Sequence, residues 1–390
     1  MSRLEELIRE KCPKEGQLKR VKLKDIADIS TGSSNTNEAV DNGIYPFYVR
    51  SQEPLKKDSY EFDEIAIITA GDGNVGKVYH FVEGKYALHQ RAYRIHVNTP
   101  EVFPKYVFHY MKARFLDYIQ KNMFQGSVSS IRRPMLNNFL IPIPPIEIQE
   151  EIASILDCFS ELERELEREL ERRRIQYTYY RDLLLVPKPM QTKMMKLKDV
   201  ADISTGKSNT NEAIEDGRYP FYVRSQEPLR KNSYEFDETA IITAGDGVGV
   251  GKVYHFAEGK YALHQRAYRI HINTPEVLPK YVFHYMKTKF SEYIQKNLFQ
   301  GSVASIRMEM LNKFPIPIPP LEIQQRIVDV LDNFETICND LSIGLPAEIT
   351  SRKVQYEYYR DALLNYAETG IYRPDQTRPD QTRPDQTRPD

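Results

Sequence analysis

The chain has no tryptophan and only three cysteines, Cys12, Cys158 and Cys338, in 390 residues. No two of them have CxxC spacing, which argues against a disulfide framework or a zinc site and suits a reducing compartment. No run approaches 18 apolar residues, so a membrane-spanning helix is not expected. The opening stretch, MSRLEELIREKCPKEG, lacks the apolar segment of a secretory signal, and a cytoplasmic location is expected. Net charge is almost absent at −1. That absence is a cancellation: Lys and Arg exceed Asp and Glu by roughly 4 over residues 1–145 and roughly 3 over residues 195–320, while a helical stretch from Ile146 to Val186 sums to roughly −5. Two mildly basic domains and an acidic helix permit nucleic-acid binding without establishing it.

Catalytic signatures are scarce as well. There is no HExxH, and no Asn/Asp-Pro-Pro-aromatic motif of an adenine methyltransferase, since IPIPP lacks the group that would hold the amino nitrogen. GDGNVGK at Gly71–Lys77 fits GxGxxG and nearly fits a P-loop. Both patterns need a helix directly after the loop to help hold a phosphate. Here KVYHF follows, which reads as a strand, and the second copy, GDGVGVGK, is one residue longer. A glycine-rich β-turn is the better reading. Asp63 and Glu64 read as solvated strand-edge carboxylates. No metal site and no catalytic residue is expected.

What the chain does have is a duplication. Leu23–Pro145 reappears as Leu197–Pro320 with roughly four residues in five identical. KYALHQRAYRIH returns unchanged, and each copy is followed by a helical segment ending in IQYTYYRDLLL or VQYEYYRDALL. Length alone suggests two or three domains, and each repeat is long enough to bury its own core. Two matching domains on matching spacers can be related by a pseudo-twofold axis, a symmetry that duplex DNA shares.

Within each repeat YPFYVRS, EIAIITA, KVYHF and AYRIHV read as strands, and PKYVFHYMKARFLDYIQ reads as a helix. The closing IPIPP favours an extended segment before a helix rather than a central strand. In the first long helix Phe159, Leu162, Leu166 and Leu170 follow an eleven-residue period, which predicts a nearly straight packing seam. Glu and Arg fill the other faces of ELERELERELERRR. In the second, Gly344 and Pro346 predict a break. The tail, RPDQTRPDQTRPDQTRPD, reads as disordered.

Polar clusters on loops, present in both copies, are the candidate DNA contacts. In the first copy they are Asn35, Asn37, Arg50, Gln52, Lys56, Lys77, His89, Gln90, Arg91, Ser127 and Arg132. In the second they are Asn209, Asn211, Arg224, Gln226, Lys252, His264, Gln265, Arg266, Ser302 and Arg307. Lys57, Gly126 and Arg133 flank the first set. Asn, Gln and Arg can read base edges, while basic residues and helix N-termini hold phosphates. Turn and cap chemistry would explain many of these residue types singly.

These segments together resemble the specificity subunit of type I restriction-modification systems. The carriers are KLKDIADISTG and KLKDVADISTG, AGDG followed by VGKVYHF, FQGSVSSI and FQGSVASI, IPIPPIEIQ and IPIPPLEIQ, and GLPAEITSRKVQYEYYRDALL. The resemblance implies an α+β fold, with two repeated α/β target-recognition domains joined by long antiparallel coiled-coil helices in a pseudo-twofold arrangement. The expected boundaries are 1–145 and 195–320 for the recognition domains, 146–187 and 321–367 for the spacer helices, and 368–390 for the tail. It further implies a subunit without catalysis of its own. It would read a bipartite DNA site and recruit two modification (methyltransferase) subunits and restriction subunits, which use S-adenosylmethionine, ATP and Mg. Near-identical domains then imply near-identical half-sites, and the four-residue LERE repeat implies a ruler for the gap between them. Tyr179, Tyr180, Arg181, Tyr358, Tyr359 and Arg360 are candidate partner contacts, or equally coiled-coil core. The competing readings are a coiled-coil scaffold with duplicated protein-binding domains, and a nuclease or methyltransferase in its own right.

Overall fold

The structure, a computed structural model, describes residues 3–11, 18–122, 130–186, 192–297 and 305–372. Gly126, Ser127, Ser302 and the tail from 373 lie outside the described residues. The chain divides into two units, one formed by Met1–Leu166 with Ile349–Asp390 and the other by Glu167–Glu348.

In the first unit the elements run α1 (Arg3–Lys11), β1 (Arg20–Lys22), β2 (Ala27–Thr31), β3 (Tyr45–Tyr48), β4 (Leu55–Lys57), β5 (Phe62–Ala70), β6 (Tyr79–Leu88), β7 (Ala92–Val97), α2 (Pro104–Asn122), α3 (Arg133–Asn138), β8 (Leu140–Pro142) and the start of α4 (Ile146–Leu184). Six strands form one sheet in the order β2-β7-β5-β6-β3-β4. Only the β3–β6 pairing is parallel, and β1 pairs with β8 in a separate two-stranded ladder. IPIPP thus contributes only a short outer strand, as its prolines require.

Side chains alternate across a strand, and β5 is buried on both faces. Ile67 joins a core with Tyr106, Val107, Met111 and Phe115 of α2. Ala66 and Ile68 join Val82, Tyr86 and Leu88 on the opposite face. Glu64 shares the parity of Ala66 and Ile68, and is no solvated edge carboxylate. It accepts hydrogen bonds from Arg94 and from the Tyr86 hydroxyl (2.9 Å). Burial pushes its carboxyl up, but the Arg94 and Tyr86 bonds outweigh that and leave it below its ordinary value.

The second unit repeats this plan with β9 (Lys193–Lys196), β10 (Ala201–Thr205), β11 (Tyr219–Tyr222), β12 (Leu229–Lys231), β13 (Phe236–Ala244), β14 (Tyr254–Leu263), β15 (Ala267–Ile272), α5 (Pro279–Asn297), α6 (Met308–Lys313), β16 (Pro315–Ile318) and α7 (Leu321–Asn339). Its sheet order is β10-β15-β13-β14-β11-β12. The last helix, α8 (Leu345–Thr369), follows a break at the expected place. A Cβ at Gly344 would lie 2.4 Å from the Thr336 carbonyl oxygen, so only glycine lets the chain pass there. The expected tail boundary at 368 is displaced: α8 runs to Thr369, and Tyr372 packs against the first unit's core.

Each unit contains an antiparallel helix pair. In the first, Phe159 of α4 stacks on Tyr359 of α8 with centroids 5.4 Å apart, and Lys353 pairs with Glu163 at 3.2 Å. In the second, Tyr180 of α4 stacks on Phe334 of α7 at 5.9 Å, and the Tyr177 hydroxyl donates to Glu335 at 2.9 Å. Partner numbers fall as α4 numbers rise, which defines the antiparallel sense. Of the expected seam, Phe159 is packed, whereas Leu162 is 38% exposed.

A buried glutamine fixes each helix to its sheet domain. The Gln149 side-chain oxygen accepts from the Phe103 backbone N–H at 2.9 Å, and its amide donates to the carbonyls of Glu101 (3.0 Å) and Pro144 (2.7 Å). Gln324 makes the matching three bonds to Leu278, Glu276 and Pro319, each 2.8 Å. A second tie joins α2 to α4. The buried His109 ring donates to Asp157 at 2.8 Å, and Lys105 reaches the other carboxylate oxygen at 2.9 Å. The His109 bond, opposed by burial and helped by Lys105, holds the Asp157 carboxyl down to about 2.

Gln149→Leu strands the Phe103 N–H, and should lower unfolding stability by about 1–3 kcal/mol in urea titrations, with Gln324→Leu costing a similar amount. Asp157→Asn should cost on the order of 1 kcal/mol near neutral pH, after discounting for solvent at its exposed edge. Because the folded-state value lies below the ordinary 3.8, that difference is fully present above pH 3.8 and should disappear as pH falls through 2. Denaturant unfolding of both proteins at pH 5, 3 and 2 measures it.

Candidate nucleic-acid interface

The loops that carry the candidate contacts converge at one end of each sheet. Ser34 bridges to His89 and Asp72 to Ser130, while the Ile131 N–H donates to the Gly71 carbonyl at 2.7 Å. These links assemble 33–38, 50–53, 71–77, 89–91 and 130–132. The second unit repeats them through Ser208–His264, Asp246–Ser305 and Ile306 to Gly245 at 2.7 Å. Two of the Gly71–Lys77 glycines, Gly73 (φ 72°) and Gly76 (φ 70°), adopt the left-handed conformation, as a turn preceding β6 demands.

At the centre stands a carboxylate between two guanidiniums. Asp72 takes Arg50 at 2.8 Å on one oxygen and Arg91 at 3.2 Å on the other. In the second unit Asp246 takes Arg224 at 2.6 Å and Arg266 at 3.1 Å. Burial pushes the Asp72 carboxyl up, but the two arginines overcome it and leave it below its usual range; Asp246 behaves alike. Arg91 is held through Nη1 alone, and its side chain is 61% exposed. A guanidinium carries five N–H donors, so one carboxylate contact aims the group without consuming it.

Beside this clamp the Gln90 amide donates to the Asn35 carbonyl oxygen, as Gln265 does to Asn209 at 2.5 Å. Asn35 also caps the short helix Thr36–Glu38: its backbone N–H donates to Glu38 at 2.7 Å, and Glu38 pairs with Lys57 at 2.6 Å. Asn35 and Asn209 therefore serve turn chemistry and still present side-chain amides at an exposed surface. Asn37, Gln52, Lys56, Lys77 and Arg132 are exposed around the same cluster, as are Asn211, Gln226, Lys252 and Arg307 in the second unit. Arg132 and Arg307 stand at the N-caps of α3 and α6.

His89 and His264, which the sequence leaves as structural or DNA-contacting, sit beneath the loops. Both rings are buried, and each Nδ1 accepts the backbone N–H two residues on, from Arg91 and Arg266, at 3.0 Å. Burial first, then the neighbouring Arg50 or Arg224 cation, lowers their pKa, so they are neutral ring braces under the loop. Sequence reasoning passed over the carboxylates that shape the site: Asp72, Asp246 and Glu38, together with Glu61. Glu61 accepts from the Ser33 N–H at 2.9 Å and from the Ser34 hydroxyl, and Glu235 repeats both bonds. The signal available was the invariant AGDG beside HQR in both copies.

The two units differ at one turn. In the first, the Asn74 amide donates to the Arg50 carbonyl at 3.1 Å. In the second, Gly249 lies against the Arg224 carbonyl so closely that a Cβ would sit 2.4 Å from it. Gly249 therefore takes the place of Asn74, and the inserted residue is Val248, 95% exposed at the tip.

The expected partner contacts divide. Tyr180 and Tyr359 are in the helix pairs described above, while Arg181 and Arg360 lie over Tyr177 and Tyr356, each at 5.8 Å. Tyr358 packs edge-on against Tyr359 at 5.3 Å, and Tyr179 is 62% exposed. Among the described residues no group of three or more His, Cys, Asp or Glu is arranged to hold a metal, and no helix is long and apolar enough to cross a membrane.

Comparison with known proteins agrees with this geometry. The family model for the type I restriction modification DNA specificity domain matches residues 16–172 and again 189–351. The EcoR124I/EcoR124II specificity subunit of Escherichia coli is 31% identical over 291 residues, covering 67% of this chain and 70% of its own. A chain of Mycoplasma pneumoniae named as a type I specificity subunit is 28% identical over 383 residues, covering 90% and 99%. The crystal structure of the S subunit of a type I system from M. genitalium superposes with a TM-score of 0.65 at 14% identity, covering 90% of this chain and 97% of that one. With two copies of its defining domain, this chain belongs to the type I restriction-modification DNA specificity family.

Proposed function

We propose that this chain is the DNA-reading, non-catalytic subunit of a cytoplasmic type I restriction-modification complex. Each unit reads one half of a bipartite site, and the helical arms seat two modification subunits and the restriction subunits. S-adenosylmethionine, ATP and Mg act in those partners. The observation that carries the reading is the arginine–aspartate–arginine clamp, built twice from the same loops with distances that agree within 0.2 Å (2.8 and 3.2 Å against 2.6 and 3.1 Å). Arginine is suited to bidentate contact with guanine, and the Asn–Gln amides to adenine. Equal clamps imply equal half-sites on opposite strands. They should diverge only where the units diverge, as at Asn74 against Gly249 with Val248 inserted, Ser33 against Lys207, Ser129 against Ala304, and Arg133-Pro134 against Met308-Glu309.

Mapping methylated adenines in DNA treated with the assembled complex should return an interrupted near-palindrome. Arg91→Ala should relax one position of one half by about 10- to 100-fold, and Arg266→Ala the matching position of the other. Unrelated half-sites, or no salt-dependent binding to duplex DNA with partners present, would count against the reading. The gap follows from α4, one continuous helix that carries the LERE units. Deleting one unit shortens it by about 6 Å, and should change the mapped gap while leaving both half-sites unchanged.

A further inference from the structure

The two units are near-copies, yet the same corner is covered in one and open in the other. In the first unit α1 lies along the start of α4. Arg3 pairs with Glu151 at 3.4 Å and Lys11 with Glu147 at 2.8 Å, so the two helices run antiparallel. Leu4 is buried in the core that holds Ile148, Ile152, Tyr106 and Leu364, with Leu7 and Ile8 packed against it. Tyr366 and Ala367, in the last turn of α8, complete the cover.

Among the described residues the second unit has neither cover. The residue matching Ile148 is Ile323, and its exposure rises from 0% to 38%. Leu321 and Val330 of α7 are also exposed, as are Leu183 and Val186 at the end of the first arm. Ile323, Val330, Leu183 and Val186, with Tyr281 and Ile327, line a groove of about 460 Å³. Scattered exposed apolar residues are ordinary, but a contiguous apolar groove marks an interaction surface.

We propose that this groove seats an amphipathic helix from another protein chain, built on the pattern of α1. The charges on the groove specify it further. Where the first unit presents Glu147 and Glu151, the second presents Glu322 and Arg326. An incoming helix lying as α1 does needs a base in its last turn facing Glu322, as Lys11 faces Glu147. In its first turn it needs an acid facing Arg326, where α1 has Arg3. The α1 of a second copy would set Arg3 against Arg326 and is disfavoured. No other part of this chain supplies the helix: each internal stretch outside the described residues contains proline or glycine, and the tail after Tyr372 has no large apolar residue. The proposal stands apart from the DNA reading and needs no DNA in its test.

Because the chain has no tryptophan, Leu183→Trp makes a single reporter within the groove of the full chain. Two nine-residue peptides serve as probes, RLEELIREK and its Arg3→Glu form. The Arg3→Glu peptide should shift the reporter's emission to the blue and bind about threefold more tightly than the native one. Arg326→Glu in the chain should reverse that preference, and Val330→Glu should abolish both shifts while leaving the urea unfolding curve of the first unit in place. A reporter that responds to neither peptide at millimolar concentration, or a preference that survives Arg326→Glu, overturns the proposal. So does an emission shift that grows with protein concentration alone, which would assign the groove to a second copy.

Discussion

Each sheet domain is completed by helix from both arms, and the rest of the structure depends on that constraint. The first unit needs the opening turns of α4, tied down by Gln149 and Asp157, and also Leu363, Leu364 and Tyr366 at the end of α8. The second needs α7, tied by Gln324, and Leu184 and Leu185 at the end of α4. Phe159 on Tyr359 and Phe334 on Tyr180 are one contact made twice, with the roles of the arms exchanged. The aromatic QYxYYRD signature is thereby explained as packing chemistry for two of its tyrosines, where large rings supply contact area at low conformational cost.

Burial of polar groups follows the same economy in both halves. Gln149 and Gln324 satisfy backbone groups that a hydrophobic residue of equal size would leave stranded. Glu64 with Arg94, and Glu238 with Arg269, place a charge pair on the sheet beside the stacked rings of Phe62 and Tyr86, or Phe236 and Tyr261. At the loop end, the same device of a carboxylate holding an arginine operates at an exposed edge. There it orients side chains instead of sealing a core.

Much of this was legible in the residues. The duplication, the strands, the proline-limited IPIPP ladder and the break at Gly344 follow from periodicity and backbone chemistry, which act locally. The loops that gather Asn35, Gln90 and Arg91 were identified by composition. What could not be read were relations between residues distant in sequence. Glu64 looked solvated because strand parity with Ile68 fixes its face only once the sheet exists. His89 looked available for contact because nothing local announces that its ring is buried beneath the loop. Asp72 looked like an ordinary turn residue because Arg50 and Arg91 meet it only in space. The covering of Ile148 by α1 needed a segment that the resemblance did not reach.

The division of the chain has a consequence for its synthesis. The second unit is a single uninterrupted stretch, Glu167–Glu348, while the first is split and lacks Ile349 onward until the end. A ribosome delivers the first sheet early, but Leu363, Leu364, Tyr366 and Ala367 of its core emerge last. The unit begun first is therefore finished second. Until α8 is released, its apolar corner stays open on the nascent chain, and every completed protein passes through that half-closed stage.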